Sequence, residues 1–519
     1  MLNYWWVTRP KRKLNSVPEV LASIVANSLN QVWNGERGTH LSLEEALENA
    51  GLKRKGDRRD QTGGGARTYY AWIESLGLIF THTDGQVKLT LAGEAILEGN
   101  SPVAVLTHQV LKYQFPSAFS ISRGVDVNRR FTIRPFRFLL MLLLEPRLGS
   151  NITQEEIAKI IITEAENETS ACYEQVVNRI LQYRIEGDAC LSPDFPERYK
   201  SSKGAPNYIN PYAHLGDIAN TIINWLEYTQ FIYRERQSIS ILEEKKEEVR
   251  HLISQHLPFI DRPEQEDYYQ RKYGCTPWKN KDTRNLSATK TITAQIIADK
   301  SIQQAFLALS LKEPISQINA SVIDRIAEST GISPLHIEST LQRLYPHGAL
   351  NTFMTEYFEM AFKGTEEATT FEKATVEILK TVFYFKVYHV GSIGLSPDSI
   401  LMCDDEGYAG IIDNKAYSKY SISNDHHNRM CVNYIPNYKA LTPEASNYPL
   451  AFFSYIAGGF ISTINNQLNL ITTKTRVSGS AITVSTFIKM IEKQQSLAYS
   501  HARFKDIFSL NRQILLSDI

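Results

Sequence analysis

The sequence predicts a chain of several domains: mostly α-helical modules carrying short hairpins, followed by one α/β domain at the C-terminal end. Three observations predict this. The length, 519 residues with 43% apolar, is enough for three or four domains that each bury a core. The N-terminal part shows helical periodicities followed by a short hairpin, and that order recurs further along. Near the C-terminal end, the polar turn Asp404-Asp405-Glu406-Gly407 separates two apolar strands that carry acids at their far ends.

The elements read in order as follows. Val17 to Trp33 and Leu41 to Ala50 have helical periodicity, and Arg67 to Leu76 follows the loop Gly63-Gly64-Gly65. A hairpin from Leu78-Ile79-Phe80 to Val87-Lys88-Leu89 turns at Asp84-Gly85, and another helix runs from Leu91 to Leu97. Helices followed by a hairpin are the winged-helix order, in which the third helix enters a DNA major groove and the wing touches the backbone. Trp72-Ile73-Glu74 before Leu78-Ile79-Phe80 recurs as Trp225-Leu226-Glu227 before Phe231-Ile232-Tyr233, a faint internal repeat. The second copy continues into Ser238 to Leu242 and a helix from Glu243 to Ile253. Between the copies, Phe136 to Leu144, Gln154 to Thr163 and Ser170 to Tyr183 form a further helical cluster.

Leu257 to Thr291 mixes prolines, charges and aromatics without a period and reads as a connector. Ile292 to Leu311 and Ser321 to Leu344 read as the helices of a linker bundle. The expected domains are therefore a winged-helix-like unit at 1–134, a second helical unit at 135–205, a third winged-helix-like unit at 206–256, a connector and helical linker at 257–349, and the α/β domain at 350–519.

Net charge is zero, with 56 basic and 56 acidic residues, so any nucleic-acid binding must come from local patches. Two basic clusters qualify: Arg9, Lys11, Arg12 and Lys13, then Lys53, Arg54, Lys55, Arg58 and Arg59, with Arg67 after the glycine loop. Residues 1–70 hold eleven Lys and Arg against seven Asp and Glu. Such clusters supply salt-dependent phosphate contacts, while Arg, Asn or Gln on a groove helix read base edges. Arg123, Arg129 and Arg130 are further candidates of the same kind. The five cysteines form no C-x-x-C pair, which argues against a zinc site or disulfide framework and for a reducing cytoplasm. The N-terminus lacks a long apolar stretch, so no signal peptide is read, and the apolar run Phe138 to Leu144 is too short to span a bilayer.

The chemistry sits in the last domain. Pro397-Asp398 is followed, after fourteen residues, by Asp413-Asn414-Lys415. Folding the hairpin about a point between Asp405 and Glu406 puts Asp398 opposite Asp413, and the two-residue strand period puts Lys415 on the same face. Paired carboxylates at strand ends suit a hard divalent cation that keeps waters and takes phosphate oxygens. Such a cation acidifies a bound water, and a lysine beside it orients the nucleophile or meets developing charge. The apolar flanks Leu401-Met402 and Gly410-Ile411-Ile412 mark a core strand rather than a solvated loop. His426 and His427 are most simply polar residues of a loop entering a helix.

The run from Phe371 onward resembles the cleavage domain of the FokI-type restriction endonucleases, within the PD-(D/E)xK nuclease superfamily. The residues that carry the likeness are the helix Phe371 to Lys380, His389-Val390-Gly391-Ser392, Pro397-Asp398, Ile411 to Ser418, and the strand Leu450 to Tyr455 leading to Gly458-Gly459-Phe460. The resemblance implies that Asp398 and Asp413 are metal ligands, that Asn414 gives a backbone carbonyl, that Lys415 is the catalytic lysine, and that Glu377 or Glu372 is the nearby helix carboxylate. It also implies Mg2+ as cofactor and dimerisation through a helix after the D-x-K strand, although the family's dimer charge pair does not align with Asn424 to Met430. Residues from Leu76 to about Tyr183 resemble the recognition arm of the AlwI-type restriction and nicking enzymes, through Gly77 to Phe80, Lys88 to Gly93, Leu111 to Ser117 and Ile133-Arg134-Pro135.

Together these readings predict a Type IIS restriction endonuclease of the bacterial cytoplasm. It would recognise a short asymmetric duplex sequence, cut at a fixed distance outside it, dimerise transiently on DNA and have a cognate DNA methyltransferase. The alternatives are a site-specific nicking enzyme and a non-catalytic winged-helix regulator. A modification-dependent nuclease is also open.

Overall fold

The computed structural model describes residues 1–54, 63–121, 126–201, 209–210, 212–286, 294–346, 348–364, 367–391, 395–441 and 444–519. The chain divides into two compact units, Met1–Ala308 with Asn319–Pro346, and Leu309–Ile318 with His347–Ile519.

The first unit is built mainly from helices. Val17–Ser28, Arg37–Asn49 and Gly64–Ser75 pack together and lead into the antiparallel hairpin β1 (Ile79–Thr81) and β2 (Val87–Leu89). The first helix stops at Ser28, short of the expected Trp33, because Leu29 turns extended and Asn30, at φ 61°, gives its N–H to Val87 O at 2.9 Å. The chain therefore leaves the helix to pair with the hairpin. Trp33 then stacks on Tyr70 at 4.1 Å, closing the core beneath. Thr90 caps the following helix, Leu91–Leu97, with its hydroxyl accepting from the Gly93 N–H.

The Trp225 motif is also followed by a hairpin. Helix Ala213–Tyr228 leads into a sheet made of β3 (Ile152–Thr153), β4 (Ile232–Glu235) and β5 (Ser238–Ile241), in the order β3-β5-β4. Ile152 pairs with Ile239 and Thr153 with Ser238. Segments 135–205 and 206–256, expected as separate domains, thus share one sheet. Their cores join as well, with Phe136 stacked on Trp225 at 5.7 Å and 10°.

The expected connector also carries structure. Glu266–Tyr273 is a helix that buries Tyr269, Gln270 and Tyr273 against the first hairpin module. Gln109 Nε2 donates to Leu76 O and Tyr273 O, both at 3.0 Å, and Tyr273 OH donates to Gln109 O. The helical stretch expected from Ser321 to Leu344 is two helices, Ala320–Thr330 and Pro334–Leu344, broken where Gly331 takes φ +71° before Pro334.

The second unit holds a six-stranded mixed sheet. Its strands are β6 (Lys386–His389), β7 (Ser399–Cys403), β8 (Tyr408–Lys415), β9 (Leu450–Ala457), β10 (Ser478–Thr483) and β11 (Gln513–Ile514), in the spatial order β11-β10-β9-β8-β7-β6. β6, β7 and β8 form an antiparallel meander, while β8 to β11 run parallel and are connected through helices. β7 is buried throughout and β8 nearly so, as expected of strands covered on both faces. Helix Ala368–Thr381 packs against β6, β7 and β8. On one face, Ile400, Ile411, Phe453 and Tyr455 pack against Tyr420, Met430 and Tyr434. Gly407 takes φ +63° to close the β7–β8 turn, and a Cβ at Gly410 would sit 2.6 Å from the Phe452 ring on the neighbouring strand. Among the described residues, no helix is long and apolar enough to cross a membrane.

Candidate active site

The β7–β8 hairpin sets the site's geometry. Its pairs run from Cys403↔Tyr408 to Ser399↔Ile412, so the next residues outward, Asp398 and Asp413, face each other across the hairpin. This is the register that the sequence predicts. It follows from the four-residue turn Asp404 to Gly407, whose length sets the register and which closes with Gly407 at φ +63°.

Beyond Ser399↔Ile412 the ladder ends, and the Asn414 N–H donates instead to Asp398 Oδ2 at 2.5 Å. Lys415 Nζ lies 2.6 Å from Asp413 Oδ2, with 13% of the lysine side chain exposed. Asp413 as a whole is 2% exposed, and its second oxygen, Oδ1, is buried with no hydrogen-bond partner.

The charges are unequally compensated. Burial, reinforced by the negative charge of Asp413, pushes the Asp398 carboxyl well above the usual carboxylate range; Lys415 opposes this and Glu372 adds to it. Burial also works against the Lys415 ammonium, but Asp413 and Asp398 outweigh it and hold its pKa above the ordinary lysine value. Two carboxylates thus share one ammonium, leaving an anionic excess and an orphaned oxygen in a buried site. That donor set fits a hard divalent cation, for which Asp398, Asp413 and the backbone carbonyl of Asn414 are the candidate ligands. Among the described residues, no group of three or more His, Cys, Asp or Glu side chains is arranged to hold a metal.

Of the two helix glutamates, Glu372 and not Glu377 faces the site. Glu377 is half exposed and pairs with Lys380 on its own helix at 3.4 Å. Glu372 is the acid whose charge reaches Asp398, and it bonds His389 Nε2 at the end of β6 at 3.0 Å. Five residues along a helix turn a side chain through about 140°, so the two glutamates cannot serve the same face.

Tyr455, Tyr420 and Thr375 also border the site without a mark in the sequence, and His426, read there as a polar loop residue, joins them. Tyr455 pairs in register with Asp413 across β8 and β9, and its buried hydroxyl has no partner. Tyr420 OH bonds His426 Nδ1 at 2.8 Å, and burial together with the charge of Lys415 lowers the His426 pKa. Thr375, on helix Ala368–Thr381, accepts from Asn414 Nδ2 at 2.7 Å. Adjacent apolar and aromatic residues could have flagged Tyr420 and Tyr455, but a lone threonine on a helix carries no signal.

In the first unit the basic candidates separate. Lys53 is committed to Glu44 at 2.9 Å and Glu48 at 2.7 Å, both carboxylates largely buried, so it is an internal counter-charge rather than a phosphate contact. Arg9 is half-buried over the Trp6 ring, and burial lowers its pKa. Lys11 is likewise half-buried, with its pKa lowered by burial, and Lys13 is partly buried. Arg12 is exposed and pairs with Asp217 at 2.8 Å. Arg130 is held by Glu166 and the carbonyls of Asn3 and Thr163, and Arg129 reaches Glu264 at the surface. Arg54 and Arg67 are exposed. Arg67 and Thr68 line a cleft of about 660 Å³ with Trp6, Trp33 and Phe119. Lys55, Arg58, Arg59, Arg123 and Ser392 lie outside the described residues.

Comparison with known proteins agrees with the two ends of the chain. Residues 331–515 match the FokI cleavage-domain family, and residues 103–249 match the family of the N-terminal domain of the Type II restriction endonuclease HgaI. The second match overlaps the stretch that resembles the AlwI type. No curated protein matches the sequence significantly. Among solved structures, restriction endonuclease FokI is similar at 15% identity over 98% of this chain and 99% of its own, with a TM-score of 0.29. FokI bound to DNA is similar at 14% over 89% and 83%, TM-score 0.29, and the BpuJ1 endonuclease binding domain in complex with modified DNA at 14% over 52% and 96%, TM-score 0.34. A cleavage domain of FokI type following a domain of HgaI type makes the chain a Type IIS restriction endonuclease.

Proposed function

We propose that the first unit recognises a short asymmetric double-stranded DNA sequence and that the second hydrolyses phosphodiester bonds at a fixed distance outside it, in a Mg2+-dependent reaction. The observation that carries this reading is the convergence of Asp398, Asp413 and Lys415 on one face, with Asp413 Oδ1 buried and unpartnered. A bound Mg2+, held by Asp398, Asp413 and the carbonyl of Asn414, would acidify a water and offset charge on the phosphoryl oxygens.

The side chains supply the rest. Asp413 lends one oxygen to Lys415 and keeps the other open. Lys415, kept protonated by the two acids, acts as a charged donor rather than a general base: it orients the attacking water and meets the charge on the phosphoryl oxygens. In-line attack of the water forms a new P–O bond as the bond to the leaving oxygen breaks, with the water's proton passing to solvent and the leaving oxygen taking one up from solvent. Glu372 and His389 stand beside this centre, while Glu377 plays no part.

Helix Gly64–Ser75, third in a helix-and-hairpin module of winged-helix order, presents Arg67 and Thr68 for groove contact, with Arg12 and Arg54 available to phosphates. One such site cuts one strand, so double-strand cleavage draws a second copy of the chain onto the DNA, and a cognate methyltransferase protects the host sequence. Asp413→Ala and Lys415→Ala are expected to abolish Mg2+-dependent plasmid cleavage while gel-shift binding of the same DNA persists. Cutting by both variants would overturn the assignment.

A further inference from the structure

Asn414 is the middle residue of the D-x-K strand, and its side chain points away from the reacting face. Strand alternation sends Asp413 and Lys415 to one side of β8 and Asn414 to the other, toward helix Ala368–Thr381. There its Nδ2 donates to Thr375 Oγ1 at 2.7 Å. The Thr375 hydroxyl lies 2.9 Å from Phe371 O, one turn back on its own helix, and 2.8 Å from Tyr357 OH on helix Leu350–Met360. A threonine hydroxyl has one proton and two acceptor sites. With its proton on the Phe371 carbonyl, it accepts from both Asn414 and Tyr357, so Tyr357 is the donor and the oxygen is saturated. Thr375 and Tyr357 have no solvent-accessible surface, and Asn414 is 7% exposed.

This chain of hydroxyls has an effect on the opposite face. It fixes the side chain of Asn414, and through it the peptide plane whose N–H holds Asp398 Oδ2 at 2.5 Å where the β7–β8 ladder has ended. The same residue contributes the carbonyl proposed above as a cation ligand. We infer that Thr375, backed by Tyr357, is a positioning residue for the reaction: by clamping Asn414 it sets the orientation of Asp398 relative to Asp413 and hence the affinity of the site for its divalent cation. This rests on the nuclease reading of that site. It differs from a packing role because it depends on the hydroxyl rather than on the volume of the side chain.

The test uses the full-length protein and four variants, Thr375→Val, Thr375→Ser, Tyr357→Phe and Asp413→Ala. Mn2+ binding is followed by electron paramagnetic resonance without DNA, the Mg2+ dependence of plasmid cleavage is measured, and metal-free DNA binding serves as the control. Thr375→Val is expected to weaken Mn2+ binding and raise the half-saturating Mg2+ concentration by about tenfold, the scale on which groups that orient metal ligands act, with DNA binding unchanged. Thr375→Ser restores the wild-type metal response, and Tyr357→Phe shifts it in the same direction by less.

The inference is overturned if Thr375→Val binds Mn2+ as wild type does, or if Thr375→Ser is as impaired as Thr375→Val. Should Thr375→Val not fold, Tyr357→Phe decides, and an unshifted metal response in that variant overturns the inference too. Asp413→Ala separates the two levels. If it still binds Mn2+ and cuts, the assignment of the active site to Asp398, Asp413 and Lys415 fails; if it loses both while Thr375→Val is unshifted, only the role of Thr375 falls.

Discussion

Each unit buries an aspartate among charged neighbours, and the two are treated in opposite ways. In the first unit, the Asp282 side chain is 1% exposed and accepts from Arg284 Nε at 2.9 Å, Arg284 Nη2 at 2.7 Å, Arg271 Nε at 3.2 Å and the Arg284 N–H at 3.0 Å. Burial alone would raise its pKa, but the bonds and charges of Arg284 and Arg271 outweigh burial and bring it down to about 2. In the second unit, Asp398 has one backbone N–H and a share of one lysine, against the charges of Asp413 and Glu372, and its pKa moves well upward. The first arrangement is complete, with every lone pair answered by protein. The second is incomplete by about one cation. Folds keep buried charge when it is compensated, and buried charge left uncompensated is the arrangement found at sites that take a ligand.

The sharpest way to test that contrast is to neutralise each acid. Asp398→Asn is expected to reduce cleavage by roughly 10²–10³-fold, the scale of losing one preorganised electrostatic contact. It should also raise the thermal midpoint of the metal-free protein, because a like charge beside Asp413 is gone and the Asn414 N–H keeps an oxygen acceptor. A lower midpoint in calorimetry would show that Asp398 is already compensated within the protein. Asp282→Asn should do the reverse. It removes the shared acceptor of Arg284 and Arg271, which keep Glu94 and Asp267 as partners, and costs about 1–3 kcal/mol of stability, as when a buried charged hydrogen bond is weakened, with Asp398 and Asp413 untouched. Denaturant titration followed by tryptophan fluorescence would measure it, since Trp5, Trp72 and Trp225 are all buried in that unit.

A smaller effect follows from pH. The folded-state pKa of Asp282, about 2, lies below its ordinary value of 3.8. Its contribution is therefore fully present above about pH 4 and is lost as pH falls toward 2. Acid unfolding of wild type should steepen across that window relative to Asp282→Asn, and parallel acid limbs would place the destabilisation elsewhere.

How much of this the sequence revealed depended on the range of each interaction. The hairpin was legible because its register is local: a four-residue turn, two apolar strands and two acids suffice to place Asp398 opposite Asp413. The helix Glu266–Tyr273 was not, because eight residues show barely two turns of periodicity, and its tyrosines find their partners, such as Gln109, far away in sequence. Lys53 looked like one member of a basic run, and only folding brings it onto Glu44 and Glu48 of the preceding helix. The choice between Glu372 and Glu377 required knowing which face of their helix meets the sheet, which packing alone decides. The same holds for Thr375, whose role exists only through Asn414 on a strand 39 positions away.

The smallest expected effects lie at the surface, where the contrast between compensated and uncompensated charge should fade. Arg12 and Asp217 form a pair at 2.8 Å with about half of each side chain exposed. Water and salt screen such a pair, so Arg12→Ala and Asp217→Ala should each change stability by no more than about 1 kcal/mol. Their effects on DNA binding should nonetheless have opposite signs. With Arg12 as the proposed phosphate contact, its removal should lower the slope of log affinity against log salt by about 1. Removing Asp217 releases Arg12 from its partner and takes an anion away from the approaching backbone, so binding at low salt should tighten several-fold, with the gain disappearing as the Debye length shrinks at higher ionic strength. Filter-binding isotherms at four or five salt concentrations would measure both slopes. Identical slopes in the two variants and wild type would remove Arg12 from the DNA interface and leave its pairing with Asp217 as a surface contact alone.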